Sequence, residues 1–401
     1  MKRRAAYLLG LLIVCVAGFA LWRAFRVIAA SASPSVSYRT TWSPSEAANY
    51  LDGREAWWEY WSKAKRDHGT FCVSCHTNLP YALSRAALQE QLGQQGMPEP
   101  ETVMFDNIEE RVSHWNEMKP FYSDAVDGRG KSAQSRATEA VLNAVILASR
   151  DAQEGKLSTI TKTAFDEAWA LQEKSGENAG GWRWQNFRLA PWESGESAYQ
   201  GAAMFAIALG NTPDNYPDDP AISQNIELLK DYLKREYAAQ PLMSKLYVLW
   251  ASARMPGLLD DTQRAALLAE LGRLQQGDGG WVLDSLDKQP FWKLLEGRAE
   301  SDGCATGLVV VALEESGVSA QNAMLQRGLK WLRGHQSKDG SWRAYSLNER
   351  RETDTNVGRF MSDAATGYAV LALEVARSEA GLNPVQPHQH EKQSLVRHGS
   401  S

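Results

Sequence analysis

Along most of the chain the apolar positions recur every three to four residues, the spacing of amphipathic helices. The segments come in pairs: a longer helix with one apolar stripe, then a helix rich in Ala and Gly that is apolar nearly all round. Six such pairs can be traced, at 47–66 with 80–92, 106–119 with 134–151, 160–174 with 195–210, 221–237 with 241–254, 261–275 with 302–315, and 320–335 with 362–376. The pattern predicts an all-α protein. Stripe-bearing helices face solvent on one side, and the all-round apolar helices are buried.

The links between paired helices repeat as well. Leu274-Gln275-Gln276-Gly277-Asp278-Gly279-Gly280-Trp281 returns as His335-Gln336-Ser337-Lys338-Asp339-Gly340-Ser341-Trp342, and more loosely as Leu171-Gln172 leading to Gly180-Gly181-Trp182. After each comes a small-residue helix, beginning Glu196-Ser197-Ala198, Ala305-Thr306-Gly307 and Ala365-Thr366-Gly367. The last two are 60 residues apart, against 61 from Trp281 to Trp342. One supersecondary unit is therefore repeated, and six hairpins predict a ring of inner helices inside a ring of outer ones.

These Gln…Gly-x-Trp turns resemble the QW repeats of the terpene cyclases, such as squalene-hopene cyclase, and of the protein prenyltransferase β subunits. The likeness covers roughly residues 135–376. It implies an α/α toroid with a central apolar cavity that accepts isoprenoid chains. It does not carry the chemistry with it. The cyclases' protonating Asp-x-Asp-Asp motif has no counterpart, Asp218-Asp219 lying in a Pro-rich loop and Asp260-Asp261 reading as a helix cap. Asp302-Gly303-Cys304 stands where prenyltransferases carry two zinc ligands, but their third, a histidine, aligns with Ala365.

Composition adds a boundary at each end. Lys2, Arg3 and Arg4 precede an apolar run from Ala5 to Trp22, about the length that spans a bilayer, with its charged end on the cytoplasmic side. Ala30-Ser31-Ala32 resembles a cleavage site, but Arg23 and Arg26 before it favour a retained anchor. The expected organisation is an anchor (1–30), a linker (31–46), the first part of the helical body (47–132), the repeat region (133–378) and a polar tail (379–401). The expected location is a bacterial inner membrane with the body in the periplasm. A net charge of −5 leaves no basic footprint for nucleic acid.

The chemistry is concentrated in Cys72-Val73-Ser74-Cys75-His76. Two thiols three apart followed by an imidazole is the spacing of covalent haem c attachment, the sulfurs adding to the vinyl groups and the imidazole ligating iron. A redox dithiol or half a zinc site would leave His76 unexplained, and the remaining cysteines, Cys15 and Cys304, are remote. The motif falls at the turn of the first hairpin. Either it replaces a QW turn beside the cavity mouth, or residues 34–132 form a small cytochrome domain of their own. Met97, in Gly96-Met97-Pro98, is a candidate distal ligand; Met104, Met118, His68 and His114 are rivals, and an open site is the other reading.

Acids cluster at the starts of inner helices: Glu193, Glu196, Asp302 and Asp363, with Glu139 on another. Singly they read as helix caps; together they would ring one end of the cavity and could relay protons. Of the fifteen tryptophans, Trp182, Trp281 and Trp342 belong to the turns and read as staples. Trp184, Trp192, Phe187 and Tyr199 are placed to line a lumen. The expected function is redox chemistry or electron transfer, with an apolar isoprenoid-like molecule and a redox protein as partners. The alternatives are a cyclase or transferase with structural haem, or a pure electron carrier.

Overall fold

The computed structural model describes residues 38–287, 300–349 and 351–379. The expected anchor, the linker before Tyr38 and the tail after Glu379 lie outside the described residues. Among the described residues there is helix and loop but no strand, only two isolated bridges. No described helix is long and apolar enough to cross a membrane.

Six hairpins follow one another. Their outer and inner helices are α1 (Pro44–Tyr60) with α2 (Asn78–Leu92), and α3 (Glu99–Ser113) with α4 (Lys131–Glu154). Next come α5 (Thr159–Leu171) with α6 (Ser197–Asn211), and α7 (Ser223–Glu236) with α8 (Leu242–Arg254). The last two pairs are α9 (Asp261–Leu274) with α10 (Gly303–Glu315), and α11 (Ala323–Gly334) with α12 (Phe360–Glu379). Each inner helix packs on the inner helix before and after it, and α12 packs back on α2. The arrangement is consistent with an α/α toroid.

Burial follows the two sequence patterns. In α7 only the stripe Ile226, Leu229, Tyr232 and Leu233 is buried, whereas α10 is buried continuously from Gly303 to Glu314. Side chains that would hold inner helices apart are missing at the seams. A Cβ on Gly307 would meet Ala369 N at 2.8 Å, and one on Gly367 would meet Pro80 Cβ at 2.5 Å, so α12 lies tightly against both α10 and α2.

The repeated turns do the stapling in the same way each time. Gln172, Gln275 and Gln336 each donate through Nε2 to a glycine carbonyl of their own turn and to a carbonyl at the start of the next outer helix: Asn225, Met324 and Ser43. Trp182, Trp281 and Trp342 donate through Nε1 to carbonyls of the preceding outer helix. Because the third turn reaches Ser43 ahead of α1, it closes the ring of outer helices end to end.

The first two outer helices differ most from expectation, and α3 also ends early, at Ser113 rather than near 119. α1 stops at Tyr60 rather than near 66, since Trp61 is extended and Lys65 bridges Phe71. α3 begins seven residues early, at Glu99, where Pro100 and the acids Glu99 and Glu101 suit a first turn. The described residues from Arg39 to Glu379 form a single compact unit, so the first hairpin belongs to the ring and is not a domain of its own.

Candidate functional site

The Cys72–His76 segment joins α1 to α2 and is pinned on both sides. Ahead of it, Trp58 donates through Nε1 to the Cys72 carbonyl at 2.6 Å, and Asn107 of α3 bonds both the N–H and the carbonyl of Phe71. Behind it, Ser74 N–H and Oγ–H donate to Asn78 Oδ1, while Ser74 Oγ accepts from the N–H groups of Thr77 and Asn78. The loop between is therefore fixed. It leaves Cys72, Cys75 and His76 half-buried, all three in the wall of one cavity of about 210 Å³.

The rest of that wall comes from distant parts of the chain: Trp58 and Trp61 at the end of α1, Gln185, Trp192 and Glu193 before α6, and Phe360 and Met361 at the start of α12. His76 stacks on Phe360, ring centres 3.9 Å apart and tilted 26°, with the edge of Trp58 at 5.0 Å. Burial, then the positive charges of Arg54 and Arg351, push the His76 imidazole down to about 3, so it is neutral at ordinary pH. Both thiols are free and are pushed up by burial, Cys72 to about 12.

The orientation of His76 is set by a relay. Its Nδ1 lies 2.9 Å from Thr77 Oγ1, and that hydroxyl donates to Asp363 Oδ2 at 3.1 Å. With its proton committed to Asp363, Thr77 accepts from Nδ1–H, which leaves the lone pair on Nε2. Asp363 is fixed in turn by a two-pronged Arg54, Nε to Oδ1 at 2.7 Å and a terminal nitrogen to Oδ2 at 2.9 Å, and by Tyr50 Oη at 2.8 Å. Burial pushes the Asp363 carboxyl up; the bonds from Arg54, Tyr50 and Thr77 pull it back.

Gln185 is the other informative wall residue. It is 3% exposed, and neither its amide oxygen nor its amide nitrogen has a partner. Glu193, beside it in the wall, is raised by burial and pulled down by Lys131 and Arg351.

Other expected site residues are placed elsewhere. Met97 is 43% exposed on the turn before α3, outside this wall. Met104 and Met118 are buried in packing, His68 is exposed and His114 is half-buried. The methionine in the wall is Met361, 3% exposed. Asp302 caps α10, accepting from the N–H groups of Leu283, Cys304 and Ala305, and burial pushes it up to about 7. Ala365 packs beside Gly303, and among the described residues no three His, Cys, Asp or Glu side chains come together as a metal site. Glu196 sits half-buried at the head of α6 without a side-chain capping bond. Glu139 pairs with Arg111 at 2.5 Å, outside the wall. The acids thus do not form one ring; Asp363 is linked to His76 through Thr77.

No protein-family model matches the chain, and no curated protein matches it. Solved glycosidase structures align with it at low identity. A wild-type glycosidase shares 11% identity over 85% of this chain and 98% of its own, with a TM-score of 0.47. A glycosidase variant in complex with glucose shares 10% identity at a TM-score of 0.43. Similarity at that level carries no argument about this chain.

Aromatic placement also departs from expectation. Trp192 lines the cavity, but Trp184 is buried against Gly201, and Tyr199 donates to Leu233 O of the outer helix α7. Tyr247 of α8 and Tyr368 of α12, helices that are not neighbours in the ring, meet hydroxyl to hydroxyl at 2.8 Å and are 1% exposed. The centre of the ring is spanned by side chains, and open space lies at its ends. Sequence reasoning missed Thr77, Arg54 and Gln185. Only Thr77, adjacent to His76, carried a local signal.

Proposed function

We propose that Cys72, Cys75 and His76 hold a covalent c-type haem at one end of an α/α toroid, and that the protein exchanges electrons through it. The supporting observation is the convergence of two neutral thiols and a neutral imidazole, its Nε2 free, on one aromatic cavity. The donor set fits the group: thiols for thioether bonds and an imidazole for iron. The unpartnered amide of Gln185 fits it too, because a buried polar group without partners costs about 1–3 kcal/mol unless a bound molecule supplies them.

Bound there, the haem supplies a one-electron couple. The chain's own part is to fix His76 through Thr77 and Asp363, to offer the Gln185 amide to a polar edge, and to exclude water with Trp58, Trp192 and Phe360. Trp61 and Trp192, half-buried in the same wall, form the side toward a redox partner. Export and tethering by residues 1–30 belong to the same proposal, since covalent haem attachment in bacteria takes place outside the cytoplasm. An apolar, isoprenoid-like molecule remains the proposed small-molecule partner, held at an end of the ring.

The test is expression of the full chain with a haem c maturation system. The expected product keeps its haem through denaturation and gives the spectrum of a thioether-linked haem. Replacing Cys72 and Cys75 by Ser abolishes that retention while leaving helix content intact. A protein that folds but gains no covalent haem overturns the proposal. Carbon monoxide then separates the uses: an indifferent, low-spin iron fits electron transfer, and a carbon-monoxide-binding iron fits oxidative chemistry on a bound apolar molecule.

A further inference from the structure

A second cavity, of about 200 Å³, lies at the other end of the inner ring. Cys75, His76, Phe360 and Met361 mark the end where inner helices begin. Trp250 of α8, Asn211 of α6 and Glu315 of α10 mark the end where they stop. Every inner helix contributes to the second wall, Leu83 from α2, Val145 from α4 and Leu371 from α12 among them. It is mostly hydrocarbon, and its rim is held by Arg254, which donates to Asn211 Oδ1 at 2.6 Å and to Glu315 Oε2 at 2.7 Å.

One wall residue carries a group that is out of place in such a setting. Trp250 is 4% exposed, and its indole N–H has no hydrogen-bond partner. The indole can only donate, so what it lacks is an acceptor. The turn tryptophans, by contrast, all donate to backbone carbonyls. Leaving a buried donor unpaired costs about 1–3 kcal/mol, a cost that a bound acceptor would relieve.

We infer that this cavity is a binding site for a small apolar molecule carrying one acceptor oxygen, such as a ketone, ester or ether, with the oxygen held by Trp250 Nε1–H. Size sets the upper limit. An apolar cavity of roughly 150 Å³ holds benzene, so this one takes a ring with a short substituent, or a chain end of that bulk. The hydrocarbon wall selects for an apolar body, and the indole selects for the oxygen. The inference does not rest on the haem reading, because the two cavity walls have no residue in common.

The test uses two probes of nearly the same shape: acetophenone, with a carbonyl oxygen, and α-methylstyrene, with a methylene in its place. Binding to the full chain is followed by NMR of ¹⁵N-labelled tryptophan side chains, with the Trp250 resonance assigned by its loss in Trp250→Phe. Acetophenone is expected to move that resonance saturably and to bind roughly 2- to 12-fold more tightly than α-methylstyrene, the range one hydrogen bond provides. In Trp250→Phe the two probes should bind alike, and Ser149→Leu, on the lip of the cavity, should weaken both. If Trp250→Phe does not fold, the probe preference of the unaltered chain decides alone. Equal affinities for the two probes overturn the inference. So does a Trp250 resonance that neither probe moves up to its solubility limit, as when water fills the space, or an acetophenone preference that survives in Trp250→Phe.

Discussion

Asp363 carries the largest stake of any single side chain near the haem-type motif, because Arg54, Tyr50 and Thr77 all spend hydrogen bonds on it. Asp363→Asn leaves the buried Arg54 guanidinium without its counter-charge, and a loss of about 3–5 kcal/mol in urea unfolding is expected. Thr77→Val cuts the link to His76 and one bond to Asp363 but leaves Arg54 and Tyr50 in place, and should cost about 2 kcal/mol. In haem-loaded protein it should also raise the reduction potential, since an imidazole with no acceptor at Nδ1 gives less electron density to iron. A potential that stays unchanged would mean the relay only holds the fold. Glu59 gives a separate, pH-dependent effect. It is buried and pushed up to about 8 by burial and by Glu99, so the folded chain holds a proton that the unfolded chain releases near 4.5. Stability from this group is complete below 4.5 and lost as pH rises toward 8, and Glu101, raised to about 7, acts in the same direction. Unfolding midpoints for Glu59→Gln should therefore decline less than those of the parent between about pH 5 and pH 8.5.

At the scale of the elements, the hairpins were legible because each is encoded twice, by its period and by its turn. All six expected pairs are present, and the inner helices begin within three residues of expectation. Where the period stood alone, as in α3, the start slipped by seven residues; the Pro98-Glu99-Pro100 stretch was a stronger marker than the apolar spacing. The turns also explain their glycines. Gly340 has φ +91°, and a Cβ there would lie 2.0 Å from the Glu46 carbonyl, so the turn presses directly on α1. Gly317 has φ +76° with nothing near it. Gly317→Ala should therefore cost only the left-handed strain, about 1–2 kcal/mol, whereas Gly340→Ala must also push α1 off the closing turn. Denaturant unfolding should place Gly340→Ala at least about 1 kcal/mol below Gly317→Ala, and equal losses would mean that the closing turn gives way without cost.

For the molecule as a whole, the cavity was far less legible than the ring. Its motif is five consecutive residues, but its wall is drawn from positions between Trp58 and Met361, and no periodicity links Gln185 or Phe360 to His76. The ring of inner helices brings them together by returning α12 to α2. The same geometry predicts how a covalently held group would act on stability. A haem on Cys72 and Cys75 would touch the α1–α2 connection, the loop before α6 and the first turn of α12, and so bridge the first hairpin to the last across the seam where the ring closes. Ligation stabilises whatever must be ordered to form the site. Amide exchange should therefore slow on haem loading in α1, α2 and the first turn of α12. The α8 and α9 amides, which contribute nothing to the wall, should keep the rates of the Cys72→Ser, Cys75→Ser protein. Uniform slowing around the ring would mean that the toroid opens as one unit. Slowing confined to Cys72–His76 would mean that the haem hangs from its loop and that the far wall, including Phe360 and Gln185, does not engage it.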